Sequence, residues 1–147
     1  MKQNTIVEII SALFIFLFIY AAITKLLDYH TFRMQLGQSP FITQFVDWIS
    51  WLLPILEIGI VILLILPRTR LIGFYSSFFI MLLFSEYIYV MLHYSYHIPC
   101  SCGGILSKMS WQQHLVFNIA FTLIALFGIF LQLQKQINNK PINEYNS

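Results

Sequence analysis

Phe45-Val46-Asp47-Trp48-Ile49-Ser50-Trp51-Leu52-Leu53-Pro54-Ile55-Leu56-Glu57-Ile58-Gly59-Ile60-Val61-Ile62-Leu63-Leu64-Ile65-Leu66 is an apolar run with two tryptophans near its head and one carboxylate well inside it. Crossing about 30 Å of hydrocarbon at 1.5 Å per residue takes roughly 20 helical residues, so this run is long enough to span a bilayer. Trp48 and Trp51 are of the amphipathic type that settles at the membrane–water boundary. The same length test picks out Thr5 to Leu27, Leu71 to Leu92 and Gln112 to Leu133. The chain of 147 residues is 59% hydrophobic and 10% charged, whereas a soluble domain carries about 25% charged residues. Its solvent is therefore the lipid bilayer. The expected fold is all-α, an integral-membrane bundle of four transmembrane helices forming one domain over 1–133, with a short polar tail over 134–147.

Lys2 precedes the first run as a positive residue precedes a secretory signal. The apolar part is longer than such a signal uses and no small-x-small site closes it, so it reads as a retained span. The formal charge of +2 comes without a basic stripe, which gives nucleic acid no support as a partner. Lys and Arg gather in cytoplasmic loops. Lys2, Arg68, Arg70, Lys135 and Lys140 fall on one side and Lys25, Arg33 and Lys108 on the other. This places both termini in the cytoplasm and the connection between the third and fourth spans outside.

Tyr29 to Gln44 is too mixed to cross a membrane. Phe32, Leu36 and Tyr29 share one helical face, which predicts a short interfacial helix ending near Gly37 between spans 1 and 2. His30 reads as a surface residue. Charges inside the spans are more informative, because an ionised carboxylate in hydrocarbon costs at least about 2.5 kcal/mol. Glu57 is therefore expected to face the bundle interior, paired or protonated. Lys25 either snorkels to the outer interface or pairs with a carboxylate of another span, Glu57 or Glu86. Glu8 is expected to reach headgroup water, and Gly59 to mark a close helix contact.

The third span ends in Tyr87, Tyr89, Tyr94 and Tyr96, an aromatic collar, with His93 and His97 spaced to share a face. Ser110 with Gln113 three residues later is the capping-box pattern and fixes the start of the fourth span. His114, Asn118 and Thr122 then recur every four residues as a polar ladder pointing into the bundle.

Between these spans lies Pro99-Cys100-Ser101-Cys102-Gly103-Gly104, which holds both cysteines of the chain. A disulfide across one intervening residue closes a very small, strained ring, and strain makes the bond easier to reduce. The chain-entropy gain of so short a loop is small, which disfavours a purely structural bridge. Lys108, protonated His93 or His97 and the N-terminus of the fourth span supply the positive field that a reactive thiolate needs. Two other readings stay open: inert cysteines that keep the loop folded, and a metal held by Cys100, Cys102 and one or two of His93, His97 and His114. Structural zinc normally uses wider cysteine spacing.

The chain resembles the MauE branch of the DoxX-like membrane proteins, a family of four spans associated with methylamine utilisation. The resemblance rests on Lys25, Pro54 with Glu57, the Pro99 to Gly104 loop, and Trp111 followed by His114 and Asn118. It implies thiol–disulfide exchange by Cys100 and Cys102 with a thioredoxin-like periplasmic partner during maturation of another protein, at a bacterial inner membrane. Gly103 departs from the Cys-x-Cys-Phe-Gly form associated with the family, which leaves the substrate open. His114, Asn118, Glu57, Lys25, Glu86, His93 and His97 are the supporting candidates. The residues fix no cofactor, and a quinone stands as a candidate electron partner without a fixed direction of electron flow. The competing functions are a non-enzymatic membrane anchor or assembly factor, and a small transporter using Glu57, Glu86 and Lys25.

Overall fold

The structure, a computed structural model, describes residues 2–39, 42–94 and 110–140, with the side chain of Tyr94 excluded. Among the described residues every element is helical: α1 (Lys2–Leu27), α2 (Tyr29–Gly37), a 3-10 turn at Thr43–Phe45, α3 (Val46–Ile65), α4 (Arg70–Tyr94) and α5 (Trp111–Asn138). Four of them are long and apolar enough to cross a membrane: α1, α3 with its leading turn, α4 and α5. The fold is thus the expected all-α bundle of four transmembrane helices.

Packing runs in a ring, α1 against α3, α3 against α4, α4 against α5 and α5 against α1, with little contact across the α1–α4 diagonal. Val7, Phe14, Phe18, Leu64, Phe74 and Ala125 fill the centre. Large apolar residues such as Phe16, Leu52, Phe79 and Leu123 point outward, as the lipid-facing side of a membrane bundle requires. Gly73 allows the close approach of α4 to α3, where an added Cβ would lie 2.8 Å from Leu64 Cδ2 and 3.0 Å from its backbone nitrogen. Gly59 does not mark such a contact: a Cβ there would meet nothing within 4 Å. Helical spacing alone does not tell which glycine faces a neighbour.

The predicted short helix is present as α2. Asp28 caps it by accepting from the Thr31 amide at 3.4 Å, and Phe32 and Leu36 are its buried residues. It packs mainly on α3, where the Tyr29 and Ser50 hydroxyls lie 2.8 Å apart and the Tyr29 ring sits 5.1 Å from that of Trp51. Trp48 and Trp51 are exposed, as boundary anchors would be. The α5 start is also as read: Ser110 Oγ accepts from the Gln113 amide at 3.2 Å, while Gln113 Oε1 accepts from the Ser110 amide at 3.1 Å.

At the other end both terminal spans run longer than hydropathy suggests. α1 begins at Lys2, and α5 continues to Asn138 through the first residues of the expected polar tail. Gln3 donates to Gln134 at 3.1 Å across the two helices. The α3–α4 turn is tight, and the last carbonyls of α3 find donors other than amides of their own helix. Thr69 Oγ1 donates to Leu63 O at 3.0 Å; Arg70 Nε and Ser11 Oγ donate to Leu64 O at 3.2 and 3.3 Å. Helix-end carbonyls left unmet in a low-dielectric setting would be costly.

Candidate functional site

A cavity of about 440 Å³ opens between the second half of α1, α2, the first half of α3, the second half of α4 and the first turns of α5. Aromatic and aliphatic side chains form most of its wall, among them Phe32, Leu53, Phe84, Trp111 and Phe117. Lys25, Glu57, His114 and Asn118 are among its polar groups, with Thr24 and Tyr87 also at the wall. The chain leaves α4 and re-enters α5 from this end, through the connection that carries Cys100 and Cys102.

Lys25 and Glu57 form a buried salt bridge, with side chains 9% and 1% exposed. Lys25 Nζ donates to Glu57 Oε1. The ammonium is also 5.8 Å from the Phe32 ring centre and 5.7 Å from that of Phe84, so α2 and α4 each place an aromatic face against it. Lys25 therefore does not snorkel to water. It turns inward because Glu57 lies inside the bundle and either charge alone would be buried without a partner. Glu57 Oε2, the second oxygen of this carboxylate, is buried and has no hydrogen-bond partner among the described residues, and neither has His114 Nδ1.

The polar ladder of α5 does face inward. Asn118 and Thr122 are buried and His114 is half-buried. Thr122 Oγ1 donates to Asn118 O at 2.7 Å within its own helix, so this rung is not an interhelical bond. Glu86 does not join the group. It is exposed on the outer face of α4, and the acid that meets Lys25 is Glu57. His93 is likewise exposed, with Nδ1 2.9 Å from Tyr89 O of its own helix. Cys100, Cys102, His97 and Lys108 lie outside the described residues. Among the described residues no three His, Cys, Asp or Glu side chains gather as a metal site.

Two contributors escaped the sequence reading. Phe84 flanks Lys25, yet it is one of many aromatic residues in its span, so nothing marks it out. Arg70 is the other, at the far end of the bundle. Its guanidinium is 7% exposed and donates to Glu8 Oε1 at 2.7 Å, while Glu8 itself is 60% exposed. Glu8 does reach outward as expected, and it brings Arg70 with it.

The family model described as "Methylamine utilisation protein MauE" matches residues 3–131, which reaches from the start of the first span into the fourth. No curated protein and no solved structure matches the chain.

Proposed function

The chain belongs to the MauE family, as a protein that crosses the membrane several times, and from that premise we propose that it exchanges thiol and disulfide equivalents through Cys100 and Cys102 with a thioredoxin-like partner during maturation of another protein. The observation that carries the proposal is that both cysteines of the chain stand one residue apart in the sequence, in the connection between α4 and α5. The partner's thiolate attacks one sulfur of the pair, a mixed disulfide forms and the other cysteine leaves as a thiolate; the reverse sequence oxidises the loop. The capping box at Ser110 fixes the start of α5, and the positive dipole end of that helix is the end that follows the cysteines in the sequence.

The distribution of Lys and Arg supports a cytoplasmic location for both termini and a periplasmic one for the loop, in a bacterial inner membrane. That is an oxidising setting, in which such a bond persists. A membrane-impermeant alkylating reagent tests both statements. In intact cells Cys100 and Cys102 should label only after reduction. Labelling only after the membrane is broken would contradict the orientation, and full labelling without reductant would contradict a resting disulfide.

A further inference from the structure

The cavity is richer than exchange at a loop requires, and its polar groups are arranged for a ligand of particular chemistry. Its 440 Å³ falls within the range of about 300–1,000 Å³ typical of small-molecule sites. The walls select an apolar body, and the rings of Phe32, Phe84, Trp111 and Phe117 favour a planar one. Among the described residues Glu57, 1% exposed, presents Oε2 with no hydrogen-bond partner, and His114 presents Nδ1 without one. An acyl chain satisfies the walls and neither polar atom. An anionic head is opposed by Glu57, and a cationic one by Lys25. What fits is a neutral planar head that can offer both hydroxyl donors and carbonyl acceptors.

The thiol chemistry asks for the same molecule. With only two cysteines in the chain, the pair has no second thiol pair of its own to which electrons can pass. We infer that the cavity binds the head of a lipid-soluble quinone, an inference whose redox role rests on the exchange proposed above. Glu57 Oε2 accepts from a hydroxyl of the reduced form; His114 Nδ1 donates to a carbonyl of the oxidised form or accepts from a hydroxyl, according to its tautomer. In the oxidising direction two S–H bonds break and one S–S bond forms. Two electrons and two protons pass to the quinone, whose two carbonyl oxygens become hydroxyls.

The test titrates the purified full chain in lipid nanodiscs with decylubiquinone, reading quenching of Trp111 in a Trp48→Phe, Trp51→Phe background. Saturable quenching is expected, and equally so with Cys100→Ser and Cys102→Ser added, because the groups assigned to hold the head lie on α3 and α5. Leu53→Phe, which crowds the cavity without adding a second tryptophan, should weaken it strongly. His114→Phe keeps the wall and removes the nitrogen, and should weaken binding about tenfold, the order expected for one lost buried hydrogen bond; it decides the matter if Leu53→Phe does not fold. Absence of saturable quenching, or quenching unchanged by the variants that fold, would overturn the site. No binding, with a thioredoxin-like adduct still trapped by single cysteine variants, would sink this inference alone. Binding with no adduct from either variant would remove the redox role along with the exchange.

Discussion

The two ends of the bundle each hold a cation against a carboxylate, and they do so under opposite conditions. At the turn end Arg70 is buried but Glu8 is 60% exposed, and the guanidinium also donates to the Leu64 carbonyl. Its charge is shared between a wet carboxylate and a helix end. At the cavity end Lys25 and Glu57 are both buried and one carboxylate oxygen has no partner among the described residues. The first pair closes a structure; the second leaves a valence open beside an apolar space. An exposed pair is worth little, whereas a buried one turns into a liability once a partner is removed. Burial, more than the presence of opposite charges, therefore separates the end that bears structure from the end proposed to bear chemistry.

The sharpest way to break this contrast is Lys25→Met, which leaves Glu57 alone in the bundle. It should lower stability by about 3–5 kcal/mol, read as a shifted unfolding transition in mixed micelles, and the double variant with Glu57→Met should recover most of the loss. A double variant no better than the single one would mean that the pair is not coupled.

Next in size is the packing at Gly73, with Gly59 as its control. Gly73→Val drives a side chain into Leu64 and should cost about 1–3 kcal/mol. Gly59→Ala meets open space and should be neutral or stabilising, by up to about 1 kcal/mol of helix propensity. Equal effects at the two sites would contradict the α3–α4 geometry.

Smaller still is Ser110→Ala, which removes the hydroxyl half of the capping box and should cost about 1 kcal/mol. Helix content near the α5 start, followed by amide exchange, is the readout. Glu8→Gln should have the least effect, below about 1 kcal/mol and fading with salt. A loss matching that of Lys25→Met would erase the distinction between the two ends.

The spans, the amphipathic α2 and the α5 cap were legible because each depends on local signals: run length, the Phe32 and Leu36 spacing, and Ser110 with Gln113. The partner of Lys25 was not. The cost of a charge in hydrocarbon already turned Glu57 inward, but α3 and α4 are largely apolar on both the lipid and the protein face, so periodicity shows no contrast from which to tell that Glu86 points outward and leaves Lys25 to Glu57. The same lack of contrast hid Phe84 and misassigned Gly59. Arg70 declares its side of the membrane, but its partner Glu8 lies 62 positions away with α2 and α3 between them, beyond any local pattern.

Exchange through the loop is tested most directly by replacing Cys100 and Cys102 one at a time with Ser and resolving whole-cell protein without reductant. One of the two variants should accumulate a reductant-sensitive adduct with a thioredoxin-like protein, and both should lose function. No adduct from either variant, with function retained in both, would contradict the proposed exchange.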